Sequence, residues 1–180
     1  MLDALVIFGL SVPVIVTGLW LSRRDYHRHG RLTWLGLGGC ALAFFMPNFL
    51  LAWHKPWFTM PEGPVELVGT ILWIAGLSLL FVSIGHFRKP AKVMGLDNSR
   101  LETGGIYRYS RNPQYVFWVM FIGGYALTGP LGPGLLAVVL LLLVIHGTVL
   151  IEEKHLLAVY GEEYERYLES APRYFLLLQG

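Results

Sequence analysis

Apolar residues in this chain come in long blocks, not in the short alternations of a water-soluble fold. Residues 4–21, 32–53 and 65–87 are each close to the ~20 residues with which a helix crosses a hydrocarbon core of ~30 Å, and they predict three membrane spans. A fourth block, 116–151, is interrupted by Gly129 Pro130 Leu131 Gly132 Pro133 Gly134, which predicts a tight turn and a helical hairpin with arms of roughly 15 to 18 residues. The first arm is short for a full span, so it tilts, starts earlier at Pro113, or stops below the far face. Past Ile151 the helix is expected to continue through Glu152 Glu153 Lys154 to Tyr160 as it leaves the membrane, with Gly161 as its stop. A short helix, Glu162 to Ser170, then places Tyr164, Tyr167 and Leu168 on one face before Pro172 ends it. The expectation is an all-α polytopic membrane protein of about five transmembrane helices, the last two a hairpin, plus a cytoplasmic C-terminal helix.

Composition agrees with this pattern: 54% of the residues are hydrophobic, 14% are charged, and mean hydropathy is +0.53. Charge adds an orientation. Arg23, Arg24, Arg28 and Arg31 follow the first span, six basic residues lie between Arg88 and Arg111, and Lys154, Arg166 and Arg173 lie in the tail, whereas Lys55 stands alone on the other side. Because cytoplasmic loops carry the excess of Lys and Arg, the N-terminus is expected outside and both large polar segments in the cytoplasm, with the cell inner membrane as the location. The net charge of +2 is explained by topology and gives no argument for nucleic acid. The first span lacks a basic preceding region and a small-residue cleavage site before Arg23, and so reads as a retained anchor. Lone Cys40 rules out an internal disulfide and reads as a small packing residue. Pro13 and Pro47 are expected to kink their spans, while Gly36, Gly38, Gly39, Ala41, Gly69 and Gly76 would let helices approach closely.

Several cofactor signatures are missing. There is no GxGxxG between a strand and a helix, no P-loop and no HExxH. The six histidines do not form the paired spacings of membrane di-iron enzymes, so no metal site is expected. His146 is read as buried, about one and a half turns before Glu152, and a haem between His86 and His146 is the corresponding alternative. The adjacent carboxylates of Glu152 and Glu153, at the end of an apolar helix, repel each other and are costly to desolvate unless a cation is present. Glu153 shares a helix face with His146, seven residues earlier, while Glu152 turns toward Val149 and His155. The segment Gly104 to Tyr115 (GGIYRYSRNPQY) brings three tyrosines and two arginines to the step Asn112 Pro113, which reads as a capped helix start able to receive a carboxylate or phosphate.

The run Thr103 to Tyr115, followed by Glu152 Glu153 and then Tyr160 Gly161 Glu162 Glu163 Tyr164 and Tyr167, resembles the isoprenylcysteine carboxyl methyltransferase and phospholipid methyltransferase superfamily of integral membrane enzymes. The likeness covers about the C-terminal 80 residues. It implies a single domain over 1–180, with 1–64 as N-terminal spans and 65–180 as the catalytic core. It also implies S-adenosylmethionine as methyl donor and a lipophilic acceptor: a lipid headgroup amine, an isoprenyl or thiol carboxylate, or a similar amphiphile. Carried over by position, Ser99, Arg100, Leu101, Glu102, Tyr107, Asn112, Pro113, Gln114 and Tyr115 would line the donor, with Glu152 and Glu153 completing the pocket. Glu152, Glu153, Arg111 and His146 would act at the reacting end. Relatives often have histidine where Asn112 stands, and an arginine of the eukaryotic carboxyl methyltransferases is replaced by His146.

The chemistry needs few parts. Methyl transfer from a sulfonium requires donor and acceptor held in line and water kept out. Tyr107, Tyr115 or Trp118 can face the cation, a glutamate can bind the donor ammonium or take the acceptor's proton, and the planar fork of Arg111 suits the donor carboxylate. Two other functions compete with this one. Membrane sterol and steroid reductases resemble the same C-terminal region but bind NADPH, and a non-catalytic or haem-carrying subunit would need none of these groups.

Overall fold

The first helix, α1 (Leu2–His29), runs eight residues beyond the apolar block that predicts it. The reason is tertiary. Asp25, fully buried, accepts hydrogen bonds from the backbone N–H of Thr33 at 2.9 Å and from the Thr33 hydroxyl, so it fixes the start of α2 (Trp34–His54). Thr33 in turn accepts from the N–H of Gly36 at 3.3 Å. The computed structural model describes residues 2–54, 61–86 and 100–175, with the side chains of 2–4, 47, 50, 51, 54 and 86 undescribed. Lys55, Arg88, Lys89, Lys92 and Ser99 lie outside the described residues, as do the side chains of Pro47 and His86.

After α3 (Pro64–His86) come a 3₁₀ turn (Gly105–Arg108), α4 (Pro113–Leu127), α5 (Leu131–Tyr160) and α6 (Glu162–Ser170), and the described residues contain no strand. The protein is all-helical. Three stretches are long and apolar enough to cross a membrane: Leu5–His29, Pro64–Gly85 and Leu131–Tyr160. At 15 residues, α4 does start at Pro113. It rises only about 22 Å, less than a full hydrocarbon core. The hairpin turn is tighter than the sequence predicts, because Gly132, Pro133 and Gly134 already belong to the first turn of α5, where a proline loses no hydrogen bond. Gly161 ends α5 with φ +52°, a conformation that suits glycine, and its N–H reaches the carbonyl of Leu157 at 2.9 Å.

With α5 at the centre, α1, α2, α4 and α6 all pack against it, while α3 is held through α4. Leu140, Leu141, Val144 and Val149 of α5 are buried against Ala43 and Phe44 of α2 and Ile122 and Tyr125 of α4. The α3–α4 contact runs along bare backbone. A Cβ placed on Gly124 would come within 2.7 Å of the Gly69 carbonyl oxygen and 2.8 Å of the Leu72 carbonyl carbon. Since lipid is as apolar as leucine, such close approach is the main attraction available between membrane helices.

A matched pair of substitutions tests this seam. Gly124→Ala should lower the apparent melting temperature in detergent, because overpacking at about 1–3 kcal/mol outweighs the gain in helix propensity. Gly123→Ala, whose Cβ would meet nothing within 4 Å, should leave it unchanged or raise it. Equal melting of the two variants would contradict a packed seam.

Candidate active site

Consecutive positions on a helix point about 100° apart, and Glu152 and Glu153 therefore enter different surroundings. Glu153 is 13% exposed and lies between two guanidinium groups. Arg111 donates Nη2 to Oε1 at 2.9 Å and Nε to the same oxygen at 3.3 Å. From the other side, Arg173 donates Nη2 to Oε2 at 2.7 Å and Nε to both oxygens at 3.0 and 3.1 Å. Charge-assisted forks of this kind are strong and directional. The Glu153 carboxylate accordingly raises the Arg173 guanidinium above its ordinary pKa.

Glu152 has a single hydrogen bond among the described residues: the Tyr115 hydroxyl donates to its Oε1 at 2.9 Å. Within those residues no Lys, Arg or His forms an ion pair with it. The Tyr115 ring is backed by Phe44 of α2, stacked at 5.6 Å and 11°. Phe44 also meets Trp118 edge-on at 5.7 Å, and the Trp118 Nε1, though buried, has no hydrogen-bond partner among the described residues. One carboxylate is neutralised twice; the other faces tyrosine.

Ala171 to Phe175 lie as a strap across the segment before α4. The Arg111 N–H donates to the Pro172 carbonyl at 2.9 Å, and Arg111 Nη1 reaches the carbonyls of Leu168 and Ala171. Asn112 sits at the N-cap position of α4 but forms no capping bond. Its Nδ2 instead donates to the Arg173 carbonyl at 3.0 Å, so the capping expected of Asn112 is replaced by a tie to the strap. His146, expected to be buried, is exposed, because its position on α5 faces outward; its Nδ1 lies 3.2 Å from the Tyr174 hydroxyl. His146 and Glu153 do share a face, and the strap reaches both, through Tyr174 and Arg173.

Above the strap, Tyr107 is 4% exposed and packs with Leu101, Tyr164, Tyr167 and Ala171. The Tyr107 hydroxyl donates to Gln114 Oε1 at 2.7 Å, while the Tyr167 hydroxyl donates to the Tyr107 carbonyl at 2.7 Å. Burial pushes both hydroxyls well above the usual range, so they remain protonated donors. Among the other expected residues, Pro113 is buried, Glu102 and Gln114 are half-buried, and Arg100 is exposed. Thus Tyr107 bonds Gln114, Tyr115 bonds Glu152, Arg111 bonds Glu153 and Asn112 bonds the strap, as separate contacts, and Leu101 packs on Tyr107. Sequence reasoning missed Arg173, although its place just after Pro172, beyond the tyrosine face of α6, is a signal that the chain turns back there. Among the described residues no group of three or more His, Cys, Asp or Glu converges on a metal-sized space.

A family model described as phospholipid methyltransferase matches residues 65–163, more than half of the chain. The chain belongs to the phospholipid methyltransferase family. No curated protein and no solved structure matches it. Membership identifies a methyltransferase acting on a lipid-type substrate, and the long apolar helices make it an integral membrane protein. The matched stretch carries Tyr115, Glu152 and Glu153 together, while α1, α2 and the strap with Arg173 lie outside it.

The ion cluster can be tested separately from activity. Glu153→Gln removes the counter-charge of Arg111, which is only 10% exposed, and should cost about 2–3 kcal/mol of stability, with earlier proteolytic release of the segment after α6. Thermal unfolding and limited proteolysis in detergent read both effects. Wild-type behaviour of the variant would show that the strap is held without Glu153.

Proposed function

We propose that the protein transfers the methyl group of S-adenosylmethionine to a lipophilic acceptor at the cytoplasmic membrane face, with the reacting groups drawn from residues 65–180. The observation that carries this reading is the environment of Glu152. It is a carboxylate at the inner end of an apolar helix, hydrogen-bonded by Tyr115 and without a cation among the described residues. A carboxylate in such a place is costly unless it binds something positive or handles a proton.

The residues present suit the donor. S-adenosylmethionine supplies a methyl group already activated on a sulfonium, together with an amino-acid zwitterion and a flat base. Glu152 and the Tyr115 ring offer a site for positive charge. Arg111 and Arg173 share only Glu153, so the cluster keeps one net positive charge that attracts the donor carboxylate without a free guanidinium. The orphaned Trp118 Nε1 is a hydrogen-bond donor still to be used, and suits an acceptor atom of the base. Arg100 to Glu102, Tyr107 and Asn112 to Tyr115 form the donor wall in this reading, and Arg111 and His146 contribute by holding the strap over it.

Each group then has a limited task. Glu152 receives the acceptor's proton, or orients the acceptor when no proton is lost. Tyr115 fixes the carboxylate through its hydroxyl. The Tyr107–Tyr167–Tyr164 cluster closes the cytoplasmic side against water, which strengthens every charge interaction inside. The acceptor is a lipid headgroup amine, an isoprenyl or thiol carboxylate, or a similar amphiphile that reaches Glu152 from the bilayer. A reductase reading would need room for a dinucleotide, and nothing about Glu152 favours it.

Purified protein incubated with radiolabelled S-adenosylmethionine and total membrane lipid should yield a labelled lipid, and Glu152→Gln should slow that transfer by about 100-fold or more. Calorimetric titration should show binding of S-adenosylhomocysteine and not of NADPH. Binding of NADPH alone would overturn the methyltransfer reading.

A further inference from the structure

The family match begins at residue 65, yet the Glu152 turn is braced by a helix from outside it. α1 and α5 run in the same direction. A Cβ on Gly147 would lie 2.8 Å from Leu19 Cδ1, which marks one level where the two helices touch. Seven residues further along α1 is Tyr26 and eight further along α5 is His155, rises of about 10 and 12 Å. At that second level the Tyr26 and His155 rings stack, with centroids 4.2 Å apart and planes at 22°. His155 lies three residues after Glu152, on the same face of α5. The Glu152 carboxylate is also within electrostatic reach of the Tyr26 hydroxyl, as it is of Tyr115. The layer below is polar too: Ser22 of α1 and Thr148 of α5, both buried, donate their hydroxyls to the carbonyls of Gly18 and Val144.

We propose that Tyr26 is a positioning residue for the reaction: stacked on His155, it sets the angle of the α5 turn that carries Glu152 and forms the wall of the site opposite Tyr115. Two aromatic supports from different helices then hold one carboxylate, Tyr115 by a hydrogen bond and Tyr26 through the neighbouring imidazole. Apart from Glu152, whose partner in the donor is the sulfonium that S-adenosylhomocysteine lacks, the donor wall is built from the 3₁₀ turn, the start of α4 and the strap, none of which depends on this stack. Tyr26 should therefore affect turnover and leave the binding of S-adenosylhomocysteine alone. The inference rests on the methyltransfer reading of Glu152, and transfer by the wild-type protein tests that reading by itself.

The test uses the full chain in detergent, radiolabelled S-adenosylmethionine, and total membrane lipid as the acceptor source. Tyr26→Ala should lower kcat about tenfold while the Kd for S-adenosylhomocysteine stays within about twofold of wild type. Tyr26→Phe, which keeps the stacking ring, should retain at least half of wild-type kcat. His155→Ala should match Tyr26→Ala, and the double variant should be no worse than either single one, because both act through one contact. If the wild type transfers methyl groups and Tyr26→Ala does so equally fast, the inference falls while the function stands. A loss in Tyr26→Phe equal to that in Tyr26→Ala, multiplied losses in the double variant, or a matching loss of donor affinity would each overturn it.

Discussion

Two carboxylates on consecutive residues cannot share one environment when the helix that carries them has just left an apolar core. Glu153 is neutralised by Arg111 and Arg173, and that arrangement frees Glu152 from serving the fold. If the guanidinium groups were absent, both charges would repel each other beside a hydrophobic core, and the end of α5 would have to unwind into water. The same three side chains fasten the segment before α4 to the segment after α6. The charge pairing therefore makes one piece of three chain regions far apart in sequence.

Around that cluster the division of labour follows polarity. Below it, helices meet through glycine and small side chains, where backbone contact takes the place of a hydrophobic driving force. Above it, tyrosines do what leucines do below, but each keeps a hydroxyl that needs a partner. Tyr107, Tyr115 and Tyr167 each find one, on Gln114, Glu152 and a backbone carbonyl respectively. The site thus sits where an apolar bundle gives way to a hydrogen-bonded cap, and a lipid and a charged, water-soluble molecule could meet there.

Much of this was legible in the sequence. Blocked hydrophobicity gave the helices, Pro113 and Gly161 marked their ends, and the tyrosines of Glu162 to Ser170 did turn to one face. Seven-residue spacing correctly put His146 and Glu153 on the same side of α5. That spacing could not tell which side was buried, so His146 was expected inside and lies outside. The polar run Arg23 to His29 read as a loop because its charges hide a helix held by Asp25 on Thr33 and by the stack of Tyr26 on His155, the latter some 130 residues away. Arg173 escaped because Pro172 signals only that the chain turns back there, not that its neighbour pairs with Glu153. Asn112 looked like a helix cap from its neighbours alone, and only the nearby strap shows why its amide points elsewhere.

The parallel contact between α1 and α5 also bears on how the chain is assembled. During synthesis α1 emerges well before α5, so Leu19 must wait for Gly147 and Tyr26 for His155. Until then the face of α1 that carries Leu19 and Tyr26 lacks its partner on α5. Closure over so long a loop is slow compared with pairing of neighbouring helices. The α1 side of the candidate site is thus completed only when α5 docks.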